Sequence, residues 1–235
     1  MKLPALFAQT SKHGQKDMDK YTEPHFRSSA LITIDTQCGT LDGQAFEIPG
    51  TSAALPKIRK VLDAYRQKRM PIVHVVRIYK KDGSNVDLCR REAIGNGAEI
   101  LLEGSAGCEL ASEMFQAENV SLDTALLLSG KVQEIGDHEA IIYKSRWGAF
   151  FHTPLESHLK KLGADTLVFT GCNFPNCPRT SVYEASERDF RIVLVEDAIS
   201  GLYPKGKDEM LNIGVLVTNA ESVKNIIRLN KKTNA

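Results

Sequence analysis

Six short runs of almost unbroken apolar residues recur along the chain, and most of them stop at a charged residue or a glycine. They cover 30–34 (then Asp35), 71–76 (then Arg77), 140–143 (then Lys144), 166–170 (then Gly171), 191–195 (then Glu196 and Asp197) and 215–217. A strand with one wet face alternates polar and apolar residues, whereas a strand covered on both faces reads as a continuous run, which is the habit of parallel sheets. Helical patterns lie between the runs. Ala54, Leu55, Ile58, Val61, Leu62 and Tyr65 recur at spacings of three and four. Thr153, Pro154 and Glu156 form a T-x-x-E helix start, with Leu155, Leu159 and Leu162 as its apolar stripe and Gly163 at its end. Further helices are expected at about 178–188 and 220–229. The alternation predicts one doubly wound, Rossmann-like α/β domain, with a six-stranded, mainly parallel sheet between helices. Residues 1–28 read as an N-terminal arm and 29–235 as the domain. Residues 80–137, irregular and rich in Gly, Ser and charge, read as an insertion, helical around 107–116, that lies over one end of the sheet.

In such a sheet, ligands bind beyond the carboxyl ends of the strands. The residues that end the runs are therefore expected neighbours: Asp35, Arg77, Lys144, the loop from Gly171 to Cys177, and Asp197. Cys177 follows a turn-like segment and precedes Pro178, which suits the first position of a helix. A thiol there meets the positive end of the helix dipole, which favours the thiolate. Nearby N–H groups can hold an oxyanion. The same position also suits a small apolar filler at a tight turn. Asp35 can equally cap a turn, and Lys144 can be a solvated strand end. Together the three make one chemistry: the Asp accepts the thiol proton, the Lys holds and polarises the site, and the thiolate attacks a carbonyl.

Other residues are expected around them. Arg77 and Tyr79 should face the pocket, Arg77 as a bidentate clamp for a substrate carboxylate or carbonyl or as half of a structural ion pair. Arg90 and Arg91 reach the pocket or its rim. Trp147 and Phe150 wall it, while Phe151 packs in the core. His74 reads as a satisfied core histidine, and Cys38, Cys89, Cys108 and Cys172 as inert. Five cysteines without a C-x-x-C pair argue against a disulfide framework or structural zinc, and reduced thiols point to the cytoplasm. Thirty Lys and Arg against 29 Asp and Glu give a net charge of +1, which argues against nucleic acid as partner. No apolar run approaches the 18 or so residues of a membrane span.

These residues resemble the isochorismatase-like cysteine hydrolase superfamily, with nicotinamidase, N-carbamoylsarcosine amidohydrolase, ureidoacrylate amidohydrolase and biuret hydrolase among its members. Residues 30–37, with Asp35-Thr36-Gln37, resemble its opening strand and Asp-x-Gln. Residues 144–150, followed by Thr153-Pro154-Leu155, resemble its lysine segment. Residues 170–177, followed later by Asp197-Ala198, resemble its nucleophile segment and closing strand. The resemblance spans about 29–229 and implies Cys177 as nucleophile, Asp35 as general base and Lys144 as assisting cation. It implies a cis peptide just before Cys177, at Asn173–Phe174 by position with Phe174–Pro175 as the competing bond. It also implies an oxyanion hole built from the backbone of Asn173, Phe174 and Cys177.

Substrate is expected to meet Gln37, Arg77, Tyr79, Trp147 and Phe150. Where nicotinamidase-like members carry an Asp-x-His metal site, this chain reads Val76-Arg77-Ile78-Tyr79-Lys80. No metal and no cofactor are therefore expected, and nicotinamide is disfavoured. Cys38-Gly39-Thr40 and Phe174-Pro175-Asn176-Cys177-Pro178 also depart from the common motifs, which bears on substrate and not on class. The implied activity is cleavage of a C–N bond in a small amide, ureide or carbamoyl compound through a thioester. The implied assembly is a homodimer or homotetramer. The alternatives are vinyl-ether hydrolysis of an isochorismate-like substrate, or a non-catalytic binding or redox-sensing protein on the same fold.

Overall fold

A computed structural model describes residues 19–116 and 120–229, so most of the expected arm lies outside the described residues. The strands are β1 (Ser29–Ile34), β2 (Ile72–Arg77), β3 (Gln133–Gly136), β4 (Glu139–Lys144), β5 (Thr166–Gly171), β6 (Arg191–Ile199) and β7 (Leu216–Thr218). The helices are α1 (Thr51–Gln67), α2 (Leu88–Gly95), α3 (Thr124–Leu128), α4 (Leu155–Lys161), α5 (Cys177–Ser186), α6 (Pro204–Asn212) and α7 (Ala220–Leu229). Short 3-10 turns at Ala106–Cys108 and Ser112–Met114 stand where a helix was expected around 107–116.

The α/β class holds, but the sheet has seven strands, in the order β3-β4-β2-β1-β5-β6-β7. The unexpected strand is β3, which pairs antiparallel with β4 while the other pairs are parallel. It lies at the sheet edge and alternates half-buried with exposed residues, so it forms no apolar run. Helix α6 also escaped the sequence reading, because only Gly206 and Met210 of its residues are buried.

Both faces of the sheet are covered. Leu31 of β1 joins a layer with Ile58 and Leu62 of α1 and Val223 and Ile227 of α7. Ala30, Ile32 and Ile34 join the opposite layer, with Leu155 and Leu159 of α4, Val182 of α5 and Met210 of α6. Fully burying one such aliphatic side chain contributes roughly 1.5–3 kcal/mol. At the start of α4 the Thr153 hydroxyl accepts from the Leu155 N–H at 3.3 Å. Glu156, expected to complete that cap, pairs instead with Lys160 and Arg188.

The strand order runs outward in both directions from β1, so the topological switch lies between β1 and β5. Their carboxyl ends approach closely. Gly171 has φ +115°, and a Cβ there would lie 2.1 Å from the Ile34 carbonyl oxygen, so only glycine fits. The following N–H, of Cys172, donates to that same oxygen at 2.9 Å. Asp35, next after Ile34, sits in the left-handed region at φ +48°. A non-glycine residue held there stores strain, a feature that gathers at functional sites. Among the described residues no helix is long and apolar enough to cross a membrane.

Candidate active site

Three strands deliver the central residues. Asp35 leaves β1, Lys144 ends β4, and Cys177 opens α5 after the loop that follows β5. Lys144 Nζ donates to Asp35 Oδ2 at 2.7 Å and to the Arg146 carbonyl at 3.4 Å. Both side chains are buried. Such a pair survives desolvation only when its geometry is good and its remaining protons find acceptors. The Asp35 backbone is pinned as well: its N–H donates to Val75 O at 2.9 Å, and its carbonyl accepts from the Cys172 thiol at 3.0 Å. Asp35 Oδ1 is buried and has no hydrogen-bond partner among the described residues.

Cys177 is an N-terminal residue of α5, as expected, but its thiol does not have the expected acidity. Burial first, and the Asp35 carboxylate second, push it up to about 11. Lys144 and Arg77 pull the other way without prevailing. The helix terminus is outweighed because the thiol is out of water and beside a carboxylate. The resting state is therefore the thiol.

Asp35 and Cys177 share a cavity of about 250 Å³ with Arg77, Arg90, Trp147, Asn173 and Asn176. That lies below the usual range for drug-sized ligands and suits a small molecule. The Cys177 N–H, first in its helix, meets no acceptor among the described residues, and neither does that of Asn173. Phe174 differs from expectation: its N–H already donates to Ser200 O at 2.8 Å, and its buried ring packs edge-on against Tyr203. No cis peptide bond occurs among the described residues, so the expected isomer at 173–174 or 174–175 is corrected to trans.

The residues expected to bind substrate divide. Trp147 lines the cavity. Arg77 lines it too, but both its terminal nitrogens bind the protein: Nη1 donates to Asp87 at 2.7 Å and to Ser145 O at 2.9 Å, and Nη2 donates to Arg146 O at 2.6 Å, while Nε is buried without a partner among the described residues. Burial alone would lower the pKa of this guanidinium. The charges of Asp35, Tyr79, Cys177 and Asp87 outweigh burial and raise it. The ion-pair reading of Arg77 fits and the clamp does not.

Gln37, Tyr79 and Phe150 are corrections, because none of them borders the cavity. Gln37 is wholly buried and stitches β2 to the insertion, donating to Arg77 O and Cys108 O and accepting from the Arg77 N–H. Tyr79 donates to Asp87 at 2.5 Å from behind the wall. Phe150 turns away towards Phe190, and Phe151 is 45% exposed instead of packed in the core. His74 bridges Thr33 and Glu139 inside the sheet, as a core histidine would. Arg90 reaches the cavity and Cys172 lines it.

Other wall residues escaped the sequence reading. Phe46, Glu47, Ile48 and Pro49 come from the loop between β1 and α1. The available signal was the Pro49-Gly50 turn just before the first helical pattern. Leu101 comes from the insertion, which is sewn to the extension of β2 by Tyr79 N–H to Leu101 O at 2.9 Å and Glu103 N–H to Tyr79 O at 2.8 Å. No cluster of three or more His, Cys, Asp or Glu placed to hold a metal occurs among the described residues.

Residues 29–222 match the family model described as the isochorismatase domain. The chain belongs to the isochorismatase family. It is 28% identical over 201 residues to a probable inactive nicotinamidase of Arabidopsis thaliana, covering 81% of this chain and 91% of that protein. It is 29% identical over 186 residues to a ureidoacrylate amidohydrolase of Variovorax paradoxus, covering 74% and 69%. Among solved structures, an isochorismatase family protein from Desulfovibrio vulgaris superposes with TM-score 0.72 at 25% identity, covering 86% of this chain and 98% of that one. Amidohydrolases thus stand among the relatives of this family member.

Proposed function

We propose that this chain is a thiol-dependent amidohydrolase that cleaves a C–N bond in a small amide, ureide or carbamoyl compound. The observation that carries the proposal is the thiol of Cys177 beside a carboxylate, Asp35, the two lining one small cavity while buried Lys144 holds Asp35 from behind at 2.7 Å. The kinship with amidohydrolases supports it.

The raised thiol dictates the order of events. Asp35 takes the Sγ proton as Sγ attacks the carbonyl carbon, since little thiolate exists beforehand. The N–H groups of Cys177 and Asn173 are the donors left to meet the oxyanion. Collapse breaks the C–N bond, and the proton held by Asp35 passes to the leaving nitrogen. Asp35 then removes a proton from water as the water attacks the thioester, and the thiol departs with its proton restored. Lys144 holds Asp35 in place throughout.

The test is ammonia release over a panel of small amides, ureides and carbamoyl acids, with Cys177→Ala alongside. Release by the native chain that is lost in the variant supports the reading. Release that survives in Cys177→Ala, or silence across the panel from folded protein, overturns it.

A further inference from the structure

Helix α5 carries more than the thiol. Cys177, Ser181 and Glu184 recur at spacings of four and three, which puts them on one face of the helix. That face grips the loop that follows β4. The Ser181 hydroxyl, wholly buried, accepts from the Ala149 N–H at 3.0 Å and donates to the Cys177 carbonyl at 2.7 Å. The Glu184 carboxylate accepts from the Phe150 N–H at 2.8 Å. The loop lies so close that a Cβ on Gly148 would fall 2.2 Å from that carboxylate. Just past the helix, the Arg188 guanidinium lies 5.0 Å from the centre of the Phe150 ring.

The near end of the same loop faces the ion pair. The Ser145 and Arg146 carbonyls accept from Arg77 at 2.9 and 2.6 Å. The Arg146 carbonyl also accepts from Lys144 Nζ at 3.4 Å, and Lys144 in turn holds Asp35. Trp147 stands between the two sets of bonds and lines the cavity. Residues 145–150 are therefore a strut between the helix of Cys177 and the Asp35–Lys144 pair. Neither Ser181 nor Glu184 borders the cavity, so neither is placed to meet a ligand.

We infer that Ser181 and Glu184 are positioning residues which, through the Ala149 and Phe150 N–H groups, set the Cys177 thiol against Asp35 and Lys144. For its effect on turnover the inference rests on the amidohydrolase reading; for its effect on the thiol it does not.

The thiol reports its own position. Facing it are Asp35 after β1, Arg77 of β2, Lys144 of β4 and the Cys172 thiol after β5. Burial and Asp35 hold it up to about 11. Both influences weaken when the thiol is displaced, so displacement makes it more acidic.

The experiment follows iodoacetamide alkylation of Cys177 against pH, with peptide mass mapping to set aside the exposed Cys89. The native chain is compared with Ser181→Ala, Ser181→Thr, Glu184→Ala and Glu184→Gln, each shown folded by circular dichroism. In the two Ala variants the midpoint falls by about one pH unit or more. On the amide, ureide and carbamoyl panel their kcat falls about tenfold or more, with KM changed less than about twofold. Threonine keeps the hydroxyl and glutamine keeps the acceptor oxygen, so these variants hold the native midpoint and kcat. Glu184, at the partly exposed end of the grip, carries the test if Ser181→Ala does not fold. An unchanged midpoint in the folded Ala variants overturns the inference, and so does faster alkylation at every pH without a shift, which is exposure alone. Equal shifts in the Ala, Thr and Gln variants also overturn it, since packing rather than hydrogen bonding would then be at work. A shifted midpoint with native kcat overturns it as well. Silence of the native chain across the panel counts against the amidohydrolase reading, and the alkylation profiles then decide the inference by themselves.

Discussion

Lys144 Nζ reaches Asp35 Oδ2 at 2.7 Å across the width of β2, which separates β4 from β1 in the sheet. A buried ion pair thereby ties two strands that share no hydrogen bonds. Removing one partner strands the other charge away from water. Lys144→Met should lower the unfolding free energy by about 3–5 kcal/mol in urea titrations. It should also push the Cys177 thiol further up, because Lys144 is one of the groups that lower it. A loss below about 1 kcal/mol would show that the pair is well hydrated.

Asp35→Asn separates two roles of one carboxylate. With the proposed base removed, ammonia release should fall by about 10²–10⁴-fold. As a negative neighbour it raises the thiol, so its loss should make Cys177 more acidic. The variant should therefore be alkylated by iodoacetamide faster than the native chain at pH 8, while turning over more slowly. The native alkylation rate should still be climbing towards pH 11, where the thiol titrates. Slower alkylation in the variant would mean that Asp35 already holds the proton at rest.

Much of this site is legible in the sequence. Asp35, Lys144 and Cys177 each follow an apolar run, or the loop after one, and a parallel sheet gathers such positions at one edge. What could not be read was orientation. The period of a strand says that Arg77 ends β2, but only the packed insertion supplies Asp87, which takes Nη1 of the guanidinium. Gln37 sits two residues from Asp35, yet its amide is used to bind backbone. The thiol's acidity was misjudged because a helix N-terminus is visible in sequence, whereas burial beside a carboxylate is not. The edge strand β3 escaped because a half-exposed strand of four residues has too few apolar positions to signal itself.

Gly171→Ala tests whether the close approach of β1 and β5 sets the site. The added Cβ would fall 2.1 Å from Ile34 O, in a region of φ that side chains rarely adopt. The strand ends must separate, and Asp35 moves with Ile34. The variant should lose more than about 2 kcal/mol of stability. Its ammonia release should fall further than unfolding alone explains, as measured at a temperature where circular dichroism shows it folded. Unimpaired turnover by the folded variant would show that Asp35 is positioned independently of β5.

Glu139, at the start of the strand that ends in Lys144, gives a pH signature of the fold distinct from that of the thiol. Burial alone would raise its carboxyl. Hydrogen bonds from His74 at 2.7 Å and from Arg66 at 2.6 and 2.9 Å outweigh burial and hold it down to about 2, against 4.5 ordinarily. A carboxyl depressed on folding contributes stability that is fully present above the unfolded value and lost as pH falls through the folded one. Here that window runs from 4.5 down to about 2. Screening by solvent at this partly exposed carboxyl leaves a contribution at neutral pH of about 1–2 kcal/mol. Urea titrations of the native chain and Glu139→Gln at stepped pH should show a gap of that order at pH 7, closing across this window. A gap that stays constant from pH 6 to pH 2 would mean that Glu139 acts through packing. Because β4 carries Lys144 at its other end, the same acidification should loosen the strand that holds Lys144 against Asp35.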